Sequence, residues 1–314
     1  MINIFSPLSS AGYFLFIFGQ YKNMGAVIYY ITLPFIYLLS VLPFRLLYII
    51  SDGMYILLYD VVGYRKEVVL KNLRNSFPEK SEQEINTICK DFYHYLCDLF
   101  VETFKTLTIS KRKMMQHCCL APEGKIFVDK MAAEKHSMIL VIGHLGNWEW
   151  SSAFSLFCDQ QVYAIYHPLQ NKQFDGLIYK IRSHFGSKLI AMKDTFKQML
   201  ANRKKVTITA FIADQTPHPE NAYWTIFLNQ DTPIFRGAEL ISRKLNYPVA
   251  YGSIKRRKRG YYEMNIEMLC ADPSATKDGE ITEMHTRRLE RDIIAQPATW
   301  LWSHKRWKHK RNKA

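Results

Sequence analysis

Between Ser137 and Leu269 the chain carries six runs of aliphatic, β-branched and aromatic residues. They are "SMILVIG" (137–143), "QVYAIY" (161–166), "KLIAM" (188–192), "VTITAFIAD" (206–214), "PVAYGSI" (248–254) and "YYEMNIEML" (261–269). Helical stretches separate most of them. Apolar runs without polar alternation need cover on both faces, and strands separated by helices pair mainly in parallel. The expected class is therefore α/β, with a mainly parallel mixed sheet covered by helices. A chain of 314 residues suffices for one large α/β domain or two smaller ones. Its 48% hydrophobic content excludes disorder.

The lead-in to this region is helical. "SDGMYILLYDVVGYRKEVVLKNLRNSFPEKS" reads as a short apolar helix followed by a basic amphipathic one that ends before Pro78. Ser81 and Glu84 have capping-box spacing. Ile85, Ile88, Cys89, Phe92, Leu96, Leu99, Phe100 and Phe104 then recur at helical spacing, so one face of the next helix is buried. Tyr93 and His94 read as packing and surface residues of that helix.

Further upstream, Gly25 to Phe44 contains no charged residue. Twenty helical residues at about 1.5 Å each match a hydrocarbon core of about 30 Å. Pro34 and Pro43 would kink such a helix, which membrane spans tolerate. Arg45, Arg65, Lys66, Lys71 and Arg74 follow the segment, so the positive-inside rule places the rest of the chain in the cytoplasm. A helix lying in the membrane interface is the alternative. The expected organisation is a possible upstream extension at 1–23, anchor and interfacial helices at 24–60, and the main domain at 61–314.

The net charge of +14 is concentrated. "KRRKR" (255–259) contributes five positive charges and "HKRWKHKRNKA" (304–314) six, leaving +3 for everything else. Such tracts suit a polyanion: anionic headgroups, an acidic protein or nucleic acid. Trp300, Trp302 and Trp307 interleave with His304, Lys305 and Arg306, as suits a membrane interface. No RNA-binding signature accompanies them, so no nucleic-acid partner is expected. The six cysteines form no C-x-x-C pair and suggest a reducing compartment. No metal is implied, as there is no H-E-x-x-H and no Cys/His cluster. No cofactor is implied either.

The chemistry centres on "VIGHLGNWEW" (141–150). With 10 histidines and 28 acidic residues in the chain, about one His-x4-acid pair arises by chance. His285 and Glu290 supply an internal control, since both fall inside one helix that reads as solvated. On a straight helix a five-residue offset places side chains about 140° apart. His144 and Glu149 can converge only if His144 lies in a turn and Glu149 in the first turn of the helix that follows. The preceding strand permits this, and it puts His144 at the carboxyl end of a strand, where open α/β sheets hold ligands. A carboxylate on one imidazole nitrogen would leave the other free to accept a proton. No serine or cysteine stands by as nucleophile, so the pair fits activation of a hydroxyl on a second substrate. Gly146 would allow substrate close to the backbone, and free amides at the helix start could polarise a carbonyl.

"GHLGNWEW" resembles the His-x4-Glu motif of the late lipid A acyltransferases, within the wider lysophospholipid and glycerol-3-phosphate acyltransferase superfamily. From about Met24 onward, "KNLRNSFPEKSEQE", "YHPLQN", "IRSHFGSKLI", "FIADQTP", "FLNQDTPIFRGAELISRKLNYPVAYG" and "TWLWSHKRWKHK" are similar to that family's segments in the expected order. The resemblance implies transfer of a fatty acyl chain from acyl carrier protein to a hydroxyl of a lipid A precursor. The reaction would take place on the cytoplasmic face of the inner membrane. It makes His144 the general base and Glu149 its orienting partner, with no acyl-enzyme. Gly146, Asn147, Trp148, His167, Arg182, Asp214, Gln215, Trp302, His304 and Arg306 are the expected substrate-binding residues. The family's Tyr-Arg-Pro stands here as Tyr166-His167-Pro168, so Arg182 is a substitute for the missing arginine, or a surface ion-pair residue. Two alternatives stay open: a same-fold acyltransferase with a lysophospholipid or aminolipid acceptor, and a catalytically silent protein that binds anionic lipid.

Overall fold

The computed structural model describes residues 24–311. The expected extension at 1–23 lies outside the described residues. A seven-stranded sheet forms the centre. Its strands are β1 (Cys118–Leu120), β2 (Met138–Ile142), β3 (Gln161–Tyr166), β4 (Lys188–Ala191), β5 (Thr207–Ile212), β8 (Val249–Lys258) and β9 (Tyr261–Cys270), in the order β1-β9-β8-β2-β5-β3-β4. All pairings are parallel except β8 with β9, as expected of a mixed sheet. A separate antiparallel hairpin joins β6 (Tyr223–Phe227) to β7 (Gln230–Ile234) through Leu228 and Asn229. Both turn residues have positive φ, which suits the primed turns of two-residue hairpins.

Side chains alternate across the sheet and define two layers. Leu140, Ile142, Val162, Ile208, Ala250, Ile254, Met264 and Ile266 share one cluster with α6 (Pro122–Ala133) and a 3₁₀ helix, Trp148–Leu156. Ile139, Val141, Ala213 and Val249 face α9 (Gly237–Leu245) and α10 (Glu280–Ala295) on the other side. β2 is buried along its whole length, because β5 and β8 flank it and both faces are covered.

Three helices precede this core: α1 (Met24–Val41), α2 (Phe44–Tyr55), which continues into a π-helix at Ile56–Val61, and α3 (Lys66–Ser76). Then comes α4 (Glu82–Lys105), whose Ser81–Glu84 capping box forms as its spacing predicts. The uncharged stretch does not make one continuous helix: α1 ends at Val41 and Pro43 caps α2. Among the described residues no single helix is long and apolar enough to cross a membrane. Yet α1 is not buried all round. Ile36 and its neighbours pack against Phe104, Phe174 and Ile178, while Val27, Tyr30, Ile31, Phe35, Leu38 and Val41 form an exposed stripe at helical spacing. Leu46 and Ile49 of α2, then Ile56, Leu57, Val61 and Val62, extend the exposed apolar surface.

The C-terminal tract differs from its interfacial reading. Trp300, Trp302 and Arg306 are almost fully buried, and His304 is 8% exposed. Asn72 donates to the carbonyls of Trp302 and His304, Thr216 donates to that of Arg306, and the Trp307 indole donates to Thr232. These indoles close the core rather than sit at headgroup depth. The internal control is corrected too, since His285 is 3% exposed on a buried face of α10.

Candidate active site

The parallel register of β2 and β5 builds the site. Ile142 pairs with Ile212, so residues two positions beyond each strand end fall side by side. Those residues are His144 and Asp214. The two side chains are 7% and 6% exposed as whole residues. Asp214 Oδ1 lies 2.6 Å from His144 Nδ1, and Asp214 Oδ2 accepts the His144 backbone N–H at 2.8 Å. The Trp300 indole donates to the same Oδ2 at 2.8 Å. Burial opposes ionisation of Asp214, but the His144 imidazole and these donors outweigh it and hold the carboxyl at about 2. A carboxylate only accepts, so Nδ1 carries the imidazole proton and Nε2 presents its lone pair. The Gln215 amide lies 3.1 Å from Nε2 and donates to it.

The orienting carboxylate of His144 is thus Asp214, where the sequence pointed to Glu149. Glu149 is 1% exposed, and its carboxylate takes a bidentate ion pair from Arg182 of α7 (Lys172–Ser183) at 2.9 and 3.0 Å. The reason lies in local backbone geometry. Residues 148–156 wind as a 3₁₀ helix, not the expected α-helix, and Glu149 faces α7. Burial disfavours the guanidinium, yet the Glu149 carboxylate more than offsets this and raises the Arg182 pKa. Arg182 is thus a largely buried ion-pair residue rather than a surface one.

The turn between β2 and the 3₁₀ helix is held from three sides. Gly146 has φ +59°, and a Cβ there would lie 1.9 Å from the carbonyl oxygen of Ile254. Only glycine fits this approach. Leu145 bridges Trp300, and the Gly146 N–H donates to the Thr299 carbonyl, so the C-terminal segment splints the turn. Asn147 is fully buried and caps the 3₁₀ helix by accepting from the Trp150 N–H at 3.0 Å. Its amide donates to Glu102. Trp148 stands edge-on to the His144 ring with centroids 5.2 Å apart. Its indole N–H is buried and has no acceptor among the described residues.

Two cavities adjoin here. One of about 70 Å³ is bordered by His144, Tyr166, His167, Arg182, Gln215 and Phe235. The other, about 60 Å³, runs beneath the 3₁₀ helix over Leu140, Ile142, Val162, Ala210, Ile254 and Met264, with Trp148 and Glu149 in its wall. Ile165, Tyr166, Arg182 and Ile212 line both. The structure therefore brings His144, Gly146, Asn147, Trp148, Glu149, His167, Arg182, Asp214 and Gln215 to one sheet margin. Trp302, His304 and Arg306 stand apart from these two cavities. Arg306 donates to the Pro233 carbonyl and lines a separate small cavity with Asp214, His285 and Tyr251. Burial brings its pKa down to about 10, and burial with the Arg306 charge brings that of His304 to about 3. Trp300 was missed as a site residue, although its place in the C-terminal signature was visible.

A histidine–aspartate pair thus lies buried at the carboxyl edge of a mixed α/β sheet, with the histidine bordering a cavity that adjoins an apolar one, a geometry suited to proton transfer. The sequence matches the family model for bacterial lipid A biosynthesis acyltransferases over residues 20–309, and the chain belongs to that family; it is an acyltransferase. It is 22% identical over 278 residues to the lipid A biosynthesis lauroyltransferase of Escherichia coli strain K12, covering 87% of this chain and 89% of that one. Among solved structures, the 1-acyl-sn-glycerophosphate acyltransferase PlsC of Thermotoga maritima matches 84% of this chain and 97% of its own. The identity is 14% and the TM-score 0.39.

Proposed function

We propose that the protein transfers a fatty acyl group from a thioester, with acyl carrier protein as donor, to a hydroxyl of a lipid A precursor. The observation that supports this most is the His144–Asp214 pair, which leaves an imidazole lone pair at a cavity adjoining an apolar one. The acyl chain lies along the apolar cavity with its thioester carbon beside His144. His144 Nε2, once the Gln215 amide has left it for the oxyanion, takes the proton of the acceptor hydroxyl as that oxygen attacks the carbonyl, and Asp214 stabilises the imidazolium. The oxyanion of the tetrahedral intermediate gains hydrogen bonds from the unsatisfied Trp148 indole and from the Gln215 amide. On collapse the C–S bond breaks, and Nε2–H returns its proton to the departing thiolate. Glu149 and Arg182 neutralise one another at the junction of the two cavities, so the acyl chain meets no net charge there.

The exposed apolar surface of α1, α2 and the π-helix supports a seat on the inner membrane, with the sheet on the cytoplasmic side. A lipid acceptor would then reach the site without leaving the bilayer. Mass spectrometry of lipid A from a strain lacking this chain tests the acceptor. The expected result is lipid A lighter by one acyl group, restored by the wild-type gene. An unchanged lipid A profile, with a lysophospholipid or aminolipid accumulating instead, would contradict it.

A further inference from the structure

A column of buried charge runs along one face of α4. Asp98, Glu102 and Lys105 follow one another at i, i+4 and i+7, with Asp98 and Glu102 almost fully buried. Asp98 accepts from Ser51 of α2 and pairs with Arg256 and Arg259 of β8 and its turn. Lys105 donates to the carbonyls of Ser40 and Leu42. Glu102 differs from both, because its partners come from three segments far apart in the chain. Tyr48 of α2 donates to Oε1 at 2.8 Å; Asn147 and Tyr262 donate to Oε2 at 2.7 and 2.8 Å. The Trp150 indole donates to its backbone carbonyl at 3.0 Å. One residue therefore grips the His144 turn at two points while holding the helix that carries exposed Leu46 and Ile49.

We propose that Glu102 is a positioning residue of the acyl-transfer site, fixing the Asn147 end of the His144 turn against α2. The proposal rests on the acyl-transfer reading only in that this turn carries the reacting imidazole. All three side-chain partners donate, and the two carboxylate oxygens divide them, one taking Tyr48 and the other Asn147 and Tyr262. The titratable and charged groups facing Glu102 are Tyr48 from α2, Tyr95 and Asp98 from α4, Arg256 from β8, Tyr262 from β9 and Cys118 from β1. Burial first, and the Asp98 charge second, push the Glu102 pKa up to about 7 against the pull of the tyrosines and Arg256.

Hydrogen exchange over residues 143–150 of the intact protein reads the turn without reference to any substrate. Glu102→Gln should exchange about tenfold faster than wild type over this turn at pH 8, with the β5 peptide 207–212 unchanged. Transfer from an acyl carrier protein thioester to a lipid A precursor should show kcat reduced about tenfold and KM within about twofold, as expected of a displaced reacting group. Tyr48→Phe should act in the same direction but more weakly, and should add nothing in the Glu102→Gln background. An equally protected turn in Glu102→Gln, or full additivity of the two substitutions, would overturn the proposal. If Glu102→Gln does not fold, Tyr48→Phe decides alone: loosening of 143–150 supports positioning and wild-type protection refutes it. A wild type that transfers no acyl group would sink the acyl-transfer reading and leave the exchange result to judge Glu102.

Discussion

Asp214 holds His144 twice, through the imidazole Nδ1 at 2.6 Å and through the backbone N–H at 2.8 Å. One carboxylate thus fixes both the ring and the turn that carries it. Neighbouring parallel strands in register deliver the two residues to this position, so the pair belongs to the sheet itself.

Asp214→Asn should preserve the shape and remove the charge. An asparagine can offer its NH₂ to Nδ1 and so stabilise the wrong tautomer, with the proton on Nε2. Turnover should fall by about 10²–10⁴-fold in an acyl-transfer assay, with little change in acceptor KM. Glu149→Gln should cost less in kcat than Asp214→Asn, and the reverse order would contradict the assignment.

Beside His144, the Trp148 indole N–H is buried and has no acceptor among the described residues. Trp148→Phe keeps most of the ring but loses the N–H, and should reduce kcat by about 10–10³-fold while leaving substrate KM within a few-fold. Trp300→Phe removes one of three donors to Asp214. It should destabilise the fold by about 1–3 kcal/mol, measured by denaturant unfolding, with a smaller loss of turnover than Asp214→Asn.

Arg182 and Glu149 form a nearly closed ion pair, so removing one partner strands the other. Arg182→Ala should destabilise the protein by about 3–5 kcal/mol, whereas the double substitution Arg182→Met with Glu149→Leu should recover much of that loss. Equilibrium unfolding of the three variants decides this.

Two buried carboxyls should leave opposite marks on stability against pH. Asp214 is lowered from 3.8 to about 2, so its contribution is present above 3.8 and lost as pH falls through 2. That contribution is about 2 kcal/mol. Glu102 is raised from 4.5 to about 7, so its contribution is full below 4.5 and lost as pH rises through 7. Unfolding midpoints from pH 2 to 8 should flatten between 4.5 and about 7 for Glu102→Gln and between about 2 and 3.8 for Asp214→Asn.

Much of this was visible beforehand. The six apolar runs all became strands of one sheet, because continuous burial is written directly in residue type. The short β1 and the β6–β7 hairpin were not anticipated. β1 has three residues, and the hairpin turn at Leu228-Asn229 lacks the usual glycine. For the site, His144 and Asp214 were both placed at strand ends, but their pairing depends on which strands are neighbours, which periodicity does not encode. Glu149 looked the better partner because a five-residue offset is local and an offset of seventy is not. The C-terminal indoles were misjudged for a related reason. A Trp-rich basic tract has the composition of a membrane interface, and only the strap across the β6–β7 hairpin shows that Trp302 and Arg306 are core. Glu102 escaped notice because a charge inside an apolar helix looks like an exposed residue until its three donors are known.

The most direct measurement is the rate of the proposed acyl transfer, from an acyl carrier protein thioester to a lipid A precursor, by His144→Ala beside the wild type, both folded and at saturating substrate. Loss of the general base should lower kcat by about 10²–10⁴-fold. A His144→Ala protein that transfers the acyl group at the wild-type rate would show that the imidazole moves no proton and that the chemistry lies elsewhere in the molecule.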